Sequence, residues 1–196
     1  MVIAYHLVWT GYGWWLPNDP RGSMSHCIAD EEIAHFGESH YGRRTMQPRS
    51  TTIRRFYDSA SDVLKYPLLK FNDEQIQFIA EGFLSAINKS RYTCYACTIM
   101  PDHVHILIRK HRDKAEDMIR NLQSQSRLRL SESDDIDINH PIWTNGGWKG
   151  FLDSPADIRR TIRYIEDNPL KMNRPRQEWS FVKEYDDWPF HNKKKK

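Results

Sequence analysis

His103 and His105 stand one residue apart in His103-Val104-His105-Ile106-Leu107-Ile108-Arg109, a β-branched and apolar run that predicts a strand. On a strand, residues i and i+2 share a face, so both imidazoles point one way while Val104, Ile106 and Ile108 point the other. Two imidazoles on one face can serve as donors to a single metal ion. Nine histidines in 196 residues give roughly 0.4 such matches by chance, so on the pair alone two structural histidines are the better reading. A second group adds weight. In Arg159-Arg160-Thr161-Ile162-Arg163-Tyr164-Ile165-Glu166-Asp167-Asn168, helical spacing makes Ile158, Ile162 and Ile165 the apolar face. Tyr164 then lies at its edge, with Asn168 one turn further on. A phenol with a free pKa of about 10 is a poor nucleophile until a metal or a base favours the phenolate. A hard cation would also neutralise charge on a phosphodiester oxygen. Two imidazoles, a carboxamide and a phenol among Arg159, Arg160 and Arg163 suit attack on a nucleic-acid phosphate. The plainer alternative is an interface tyrosine on a solvated basic helix.

The elements that must position these residues follow from pattern and punctuation. Val2 to Thr10 predicts a first strand. From Gly11 to Asn72 the chain is broken by Gly11, Gly13, Pro17, Pro20, Gly22, Gly37, Gly42 and Pro48, with a short helix expected from Ala29 to His35; this is too long for an ordinary connection and reads as an insertion. Asn72 with Gln75 forms a capping box, predicting a helix from Asp73 to Asn88. Arg91 to Ile99 and His103 to Arg109 predict two antiparallel strands around Met100-Pro101-Asp102. A helix follows from about Asp113 to Leu130, with a loop through Ser131-Asp135. Strand pieces are expected at Ile142-Trp143 and Trp148-Leu152. Ser154-Pro155-Ala156-Asp157 then opens the helix that carries Tyr164, and Pro169 ends it near Asn168. The aromatic segment to His191-Asn192 is expected to pack back on the domain. Antiparallel strands covered by helices make an α+β architecture.

Composition bounds the rest. A chain of 196 residues suits one domain, here residues 1–192, with Lys193 to Lys196 as a solvated basic tail. Net charge +3, 39% hydrophobic and 28% charged residues, and a mean hydropathy of −0.76 exclude collagen, mucin and wholly disordered classes. No apolar run spans a membrane and the first residues do not resemble a signal peptide, so a cytoplasmic protein is expected, nucleoid-associated when bound to DNA. Cys94 and Cys97 lie on a predicted strand, where i and i+3 face opposite ways, so they read as separate buried thiols and not a zinc or redox pair; Cys27 is isolated. The 12% aromatic share, with seven Trp, requires a core or stacked ligands.

Met100-Pro101-Asp102-His103-Val104-His105-Ile106-Leu107-Ile108 resembles the motif of two histidines around a bulky hydrophobe found in single-tyrosine transposases. These include the small insertion-sequence and repetitive-palindrome-associated tyrosine transposases. Tyr164-Ile165-Glu166-Asp167-Asn168-Pro169 resembles their tyrosine motif, and Tyr5-His6-Leu7-Val8-Trp9-Thr10 their first strand. The resemblance implies a ferredoxin-like fold, usually dimeric, and Tyr164 as a nucleophile that cuts single-stranded DNA and stays joined to the 5′ phosphate. It further implies His103 and His105 as ligands of Mg²⁺ or Mn²⁺, with Asn168 as third ligand where some relatives carry Gln. The substrate implied is a hairpin-bearing DNA element end. The insertion exceeds what the smallest members have room for, although its Trp14-to-Ser23 block resembles a subgroup.

Single-stranded DNA would use aromatic stacking and cations along the backbone. Tyr12, Trp14 and Trp15 are the candidate stackers, although filling the core or bracing the insertion is the better reading of each. Arg21, Arg43, Arg44, Arg120, Lys149, Arg159, Arg160 and Arg163 are candidate backbone contacts. Two other classes fit the same residues: a DNA-binding regulator that keeps the fold without catalysis, and a metallohydrolase that activates water.

Overall fold

The computed structural model describes residues 1–23, 25, 28, 31–132, 136–137 and 139–190, with Glu31 and Glu32 as backbone only. Cys27, part of the expected 29–35 helix, the 133–135 loop and the tail from His191 lie outside the described residues. The elements are β1 (Ala4–Thr10), α1 (Glu31–Ala34), α2 (Ser50–Ser61), α3 (Asp73–Ser90), β2 (Cys94–Ile99), β3 (His103–Arg109), α4 (Ala115–Leu130), β4 (Trp148–Leu152) and α5 (Pro155–Glu166), followed by a 3₁₀ turn, Pro169–Met172.

Four strands form one antiparallel sheet in the order β2-β3-β1-β4. In β1–β4 the register sets His6 opposite Gly150 and Val8 opposite Trp148; in β2–β3 it sets Thr98 opposite His105 and Ala96 opposite Leu107. Opposed residues share a face, so His6, His105, Thr98, Gly150 and Trp148 lie on one side of the sheet. Helix α5 covers part of that side: Ile158 and Ile165 cluster with Ala4, Ala96 and Leu107. On the other side Trp9 meets Phe83 of α3 edge-on, with ring centroids 5.7 Å apart. Apolar helices on both faces explain why β2 is buried throughout and β1 nearly so. The fold is the ferredoxin-like α+β arrangement.

The helix starts follow their chemistry. Asn72 Oδ1 accepts from Gln75 N at 2.8 Å and Gln75 Oε1 accepts from Asn72 N at 3.0 Å, the reciprocal bonds of a capping box. Ser154 Oγ accepts from Asp157 N at 3.1 Å, with Pro155 opening α5. Arg91 closes α3 in the left-handed region, φ 59°, so the strand begins at Cys94 and not at Arg91. Both Cys94 and Cys97 are buried free thiols, and burial pushes each of them up. The C-terminal segment packs back: Tyr185, Trp188 and Phe190 lie against the Ile3–Ile165 cluster. Gln177 also brackets Ile99 with two bonds of 2.8 Å, covering part of the β2 edge.

Helices α3 and α4 touch where Gly82 meets Ser126. A Cβ at Gly82 would lie 2.4 Å from Ser126 Cα and 2.7 Å from Gln125 O, both backbone atoms that cannot turn away. Gly82→Ala is therefore expected to lower stability by about 1–3 kcal/mol, the usual cost of overpacking, read as a fall in the urea midpoint.

The chain divides into two compact units. One comprises Met1–Trp9, Phe71–Asn139 and Asn145–Lys196, and the other Thr10–Lys70 with His140–Thr144. The second has its own core of Leu16, Ile33, Phe56, Tyr57 and Ala60. Its helix α2 differs from the irregular segment expected there. Ile53, Phe56, Tyr57 and Ala60 give it one apolar face, but Arg49 at the N-cap makes no side-chain bond, so the start carried no capping signal. Trp143, expected in a strand piece, forms an isolated bridge to Gly11. No helix among the described residues is long and apolar enough to cross a membrane.

Candidate active site

Strand β3 brings His103 and His105 to one face, with ring centroids 5.0 Å apart. His103 Nδ1 lies 2.6 Å from Asp102 Oδ1. An ionised carboxylate only accepts, so His103 donates from Nδ1, which turns Nε2 away from that bond. His105 is buried and its Nδ1 lies 3.0 Å from His6 Nε2 across the β1–β3 boundary. Burial lowers the His6 pKa to about 4. It also lowers His105 well below the usual imidazole value, with His103, His6 and Lys171 adding in the same direction. Both rings are therefore neutral at pH 7, and their bond needs one donor and one acceptor. When His105 donates from Nδ1, its lone pair falls on Nε2.

Helix α5 supplies the phenol. The Tyr164 ring lies 5.5 Å from His105 and 6.1 Å from His6 by centroid, and the side chain remains 46% exposed. Thr98 Oγ1 donates to Ile165 O at 2.7 Å, tying the end of α5 to the strand beside His105. The 3₁₀ turn after Pro169 then folds Lys171 back, placing its Nζ 4.3 Å from the Tyr164 ring centroid. Asn168 is buried; its Nδ2 donates to Tyr164 O at 3.2 Å and its Oδ1 accepts from Lys171 Nζ at 3.0 Å. Of the four residues expected to form the centre, His103 and Tyr164 each contact the His105 ring, while Asn168 bonds to the Tyr164 backbone and to Lys171.

Residues 63–168 match the protein family described as Transposase IS200 like. The chain belongs to this family. Among solved structures it is similar to a protein described as a REP-associated tyrosine transposase bound to a REP hairpin. That likeness has 13% identity and a TM-score of 0.47, over 95% of this chain and 73% of that one. It is also similar to a putative transposase from Deinococcus radiodurans R1, at 13% identity and a TM-score of 0.41, over 85% of this chain and 91% of that one. None of the curated proteins matches.

The IS200-like transposase match spans His103, His105, Tyr164 and Asn168, whereas His6 and Lys171 lie outside it. Neither residue is legible from local pattern: His6 reaches the site only because β1 pairs beside β3, and Lys171 only because the chain turns back after Pro169. Among the described residues, no group of three or more His, Cys, Asp or Glu side chains is disposed to hold a metal. The donors expected from the sequence for a cation are two imidazoles and the Asn168 amide oxygen. That oxygen has two lone pairs and Lys171 uses one, which leaves one for a further donor or cation.

The residues expected along DNA divide between the two units. Trp14 braces the second unit: its Nε1 donates to Leu69 O at 2.5 Å and its ring lies 4.8 Å from Tyr57. Arg21 is committed to Asp19 by two bonds of 2.9 and 2.7 Å, and its guanidinium lies 4.4 Å from the Trp15 ring; Trp15 is partly exposed. Arg43 and Arg44 are exposed, and Arg44 N donates to Arg21 O at 2.9 Å. In the other unit Arg120 pairs with Asp117, Arg159 with Asp187 and Arg160 with Asp157, while Lys149 Nζ lies 2.7 Å from Glu116. Arg163 is exposed on α5.

Proposed function

We propose that this IS200-like transposase cuts and rejoins single-stranded DNA through a covalent bond between Tyr164 and a 5′ phosphate. The carrying observation is an exposed phenol held beside two neutral imidazoles and one ammonium. In the step, the Tyr164 oxygen bonds to phosphorus as the bond to the 3′ oxygen breaks. The phenol proton passes to solvent, and the departing 3′ oxygen takes one up as a 3′-OH. The phosphotyrosine ester retains the phosphodiester's energy, so a second 3′-OH can reverse the attack and rejoin strands without an energy cofactor. Lys171 places a positive charge where the phosphate must sit, and Asp102 and His6 fix the orientation of His103 and His105.

His103 Nε2, His105 Nε2 and the Asn168 amide oxygen are the atoms that would hold Mg²⁺ or Mn²⁺. When bound, such an ion supplies charge neutralisation and a template for the scissile phosphate. Removing the neighbouring ammonium relieves like-charge repulsion. Lys171→Met is therefore expected to bind Mn²⁺ several-fold more tightly, read by calorimetry without DNA; unchanged or weaker binding contradicts this placement. The hairpin-bearing substrate and the dimer implied by the family resemblance belong to the same reading.

Incubation with labelled single-stranded and duplex oligonucleotides in Mn²⁺, read on a denaturing gel, tests it. The expected result is a denaturant-resistant adduct with single strands only. Cleavage to a free 5′ phosphate with unlabelled protein would indicate water as nucleophile, and binding without cleavage a non-catalytic regulator.

A further inference from the structure

Trp148 is an exposed indole beside the nucleophile with no part in the chemistry above. It is 39% exposed on β4, opposite Val8, and the next residue on its face of that strand is Gly150, opposite His6. A Cβ at Gly150 would lie 2.6 Å from Trp148 Cη2, 3.0 Å from Cζ3 and 3.3 Å from Cζ2. The six-membered ring of the indole therefore lies across the glycine, in space any other residue would fill. There it meets His6 edge-on, with centroids 5.3 Å apart and planes at 85°. His6 in turn contacts both His105 and Tyr164. Trp148 and Tyr164 thus flank one imidazole on the same side of the sheet.

From this we infer that Trp148 is a stacking platform for an unpaired nucleobase next to the phosphate that Tyr164 attacks. The inference rests on the reading of Tyr164 as the residue that receives the phosphate. An aromatic ring held by the fold loses little freedom on stacking, and every base has a π-face to offer it. The geometry favours single strands because a base paired and stacked in a duplex cannot lie on the ring. Lys171, above the Tyr164 ring, supplies the cation for the backbone of the same nucleotide. Phe151, the other exposed aromatic of β4, alternates to the opposite face and packs edge-on to Tyr5 at 5.7 Å, so it cannot share the role.

Binding of labelled oligothymidine, and of the same strand with abasic sites throughout, is measured in chelator with Tyr164→Phe as the parent, so that no adduct forms. Trp148→Ala is expected to weaken oligothymidine binding by about 5- to 150-fold and to leave abasic binding and the salt slope unchanged. Trp148→Phe should recover most of the loss. Gly150→Ala, which keeps the indole but fills its seat, should reproduce much of it. Equal affinity of Trp148→Ala and parent for oligothymidine overturns the inference, as does an equal loss on the abasic strand, which marks a structural role. A base-dependent loss in a protein whose wild type makes no adduct would preserve the platform while refuting the covalent chemistry.

Discussion

Tyr164→Phe is expected to abolish the adduct with single-stranded DNA completely while changing affinity for the strand only a few-fold. The substitution removes one oxygen from a half-exposed ring whose packing against His105, His6 and Lys171 involves the ring itself. The Asn168 bond to Tyr164 goes to the backbone carbonyl, so the turn that carries Lys171 is kept. Loss of covalent product with retained binding therefore separates chemistry from folding. A persistent adduct in this variant would assign the nucleophile elsewhere.

The second large effect concerns the histidines. His105→Ala removes a proposed metal ligand outright, and Mn²⁺-dependent cleavage should disappear. His6→Phe tests the layer behind it: without His6 Nε2, His105 Nδ1 loses the partner that sets its tautomer. Loss of such a partner typically costs 10–100-fold in metal affinity or activity. The same pair makes the protein acid-sensitive. His6 titrates near 4 when folded against about 6.5 when unfolded, so between these values the unfolded chain binds more protons. Its contribution is fully present above about pH 6.5, falls as pH drops, and levels off below about pH 4, a total of roughly 3 kcal/mol. His105 acts in the same direction. Urea midpoints of the metal-free protein should thus fall between neutral and mildly acidic pH, and His6→Phe should flatten that dependence. A wild-type profile flat across this range would contradict buried neutral imidazoles.

Much of the architecture was legible because its signals are local. The Asn72–Gln75 box, the Ser154-Pro155 start and the alternation through His103–Arg109 each act within a few residues, and each appears as expected. Helix α2 was not legible, because its apolar face is interleaved with Arg54 and Arg55 and its N-cap carries no bonding side chain. The site divides the same way. The phenol and amide follow from helical spacing and the two imidazoles from strand spacing. His6, Lys171 and Trp148 depend on strand order, a turn after proline and a glycine two residues away, which no window of sequence contains. Arg21, expected along DNA, also pairs with Asp19, whose burial no window of sequence contains.

The most direct test of the covalent chemistry is tryptic mapping of the adduct by mass spectrometry. Cleavage after Arg163 and Lys171 releases residues 164–171, in which Tyr164 is the only hydroxyl. The expected result is that peptide carrying the 5′ nucleotide through a phosphodiester, with the other DNA fragment ending in a 3′-OH. An unmodified 164–171 peptide from cleaved reactions, with the nucleotide on another peptide or released as a free 5′ phosphate, would contradict it.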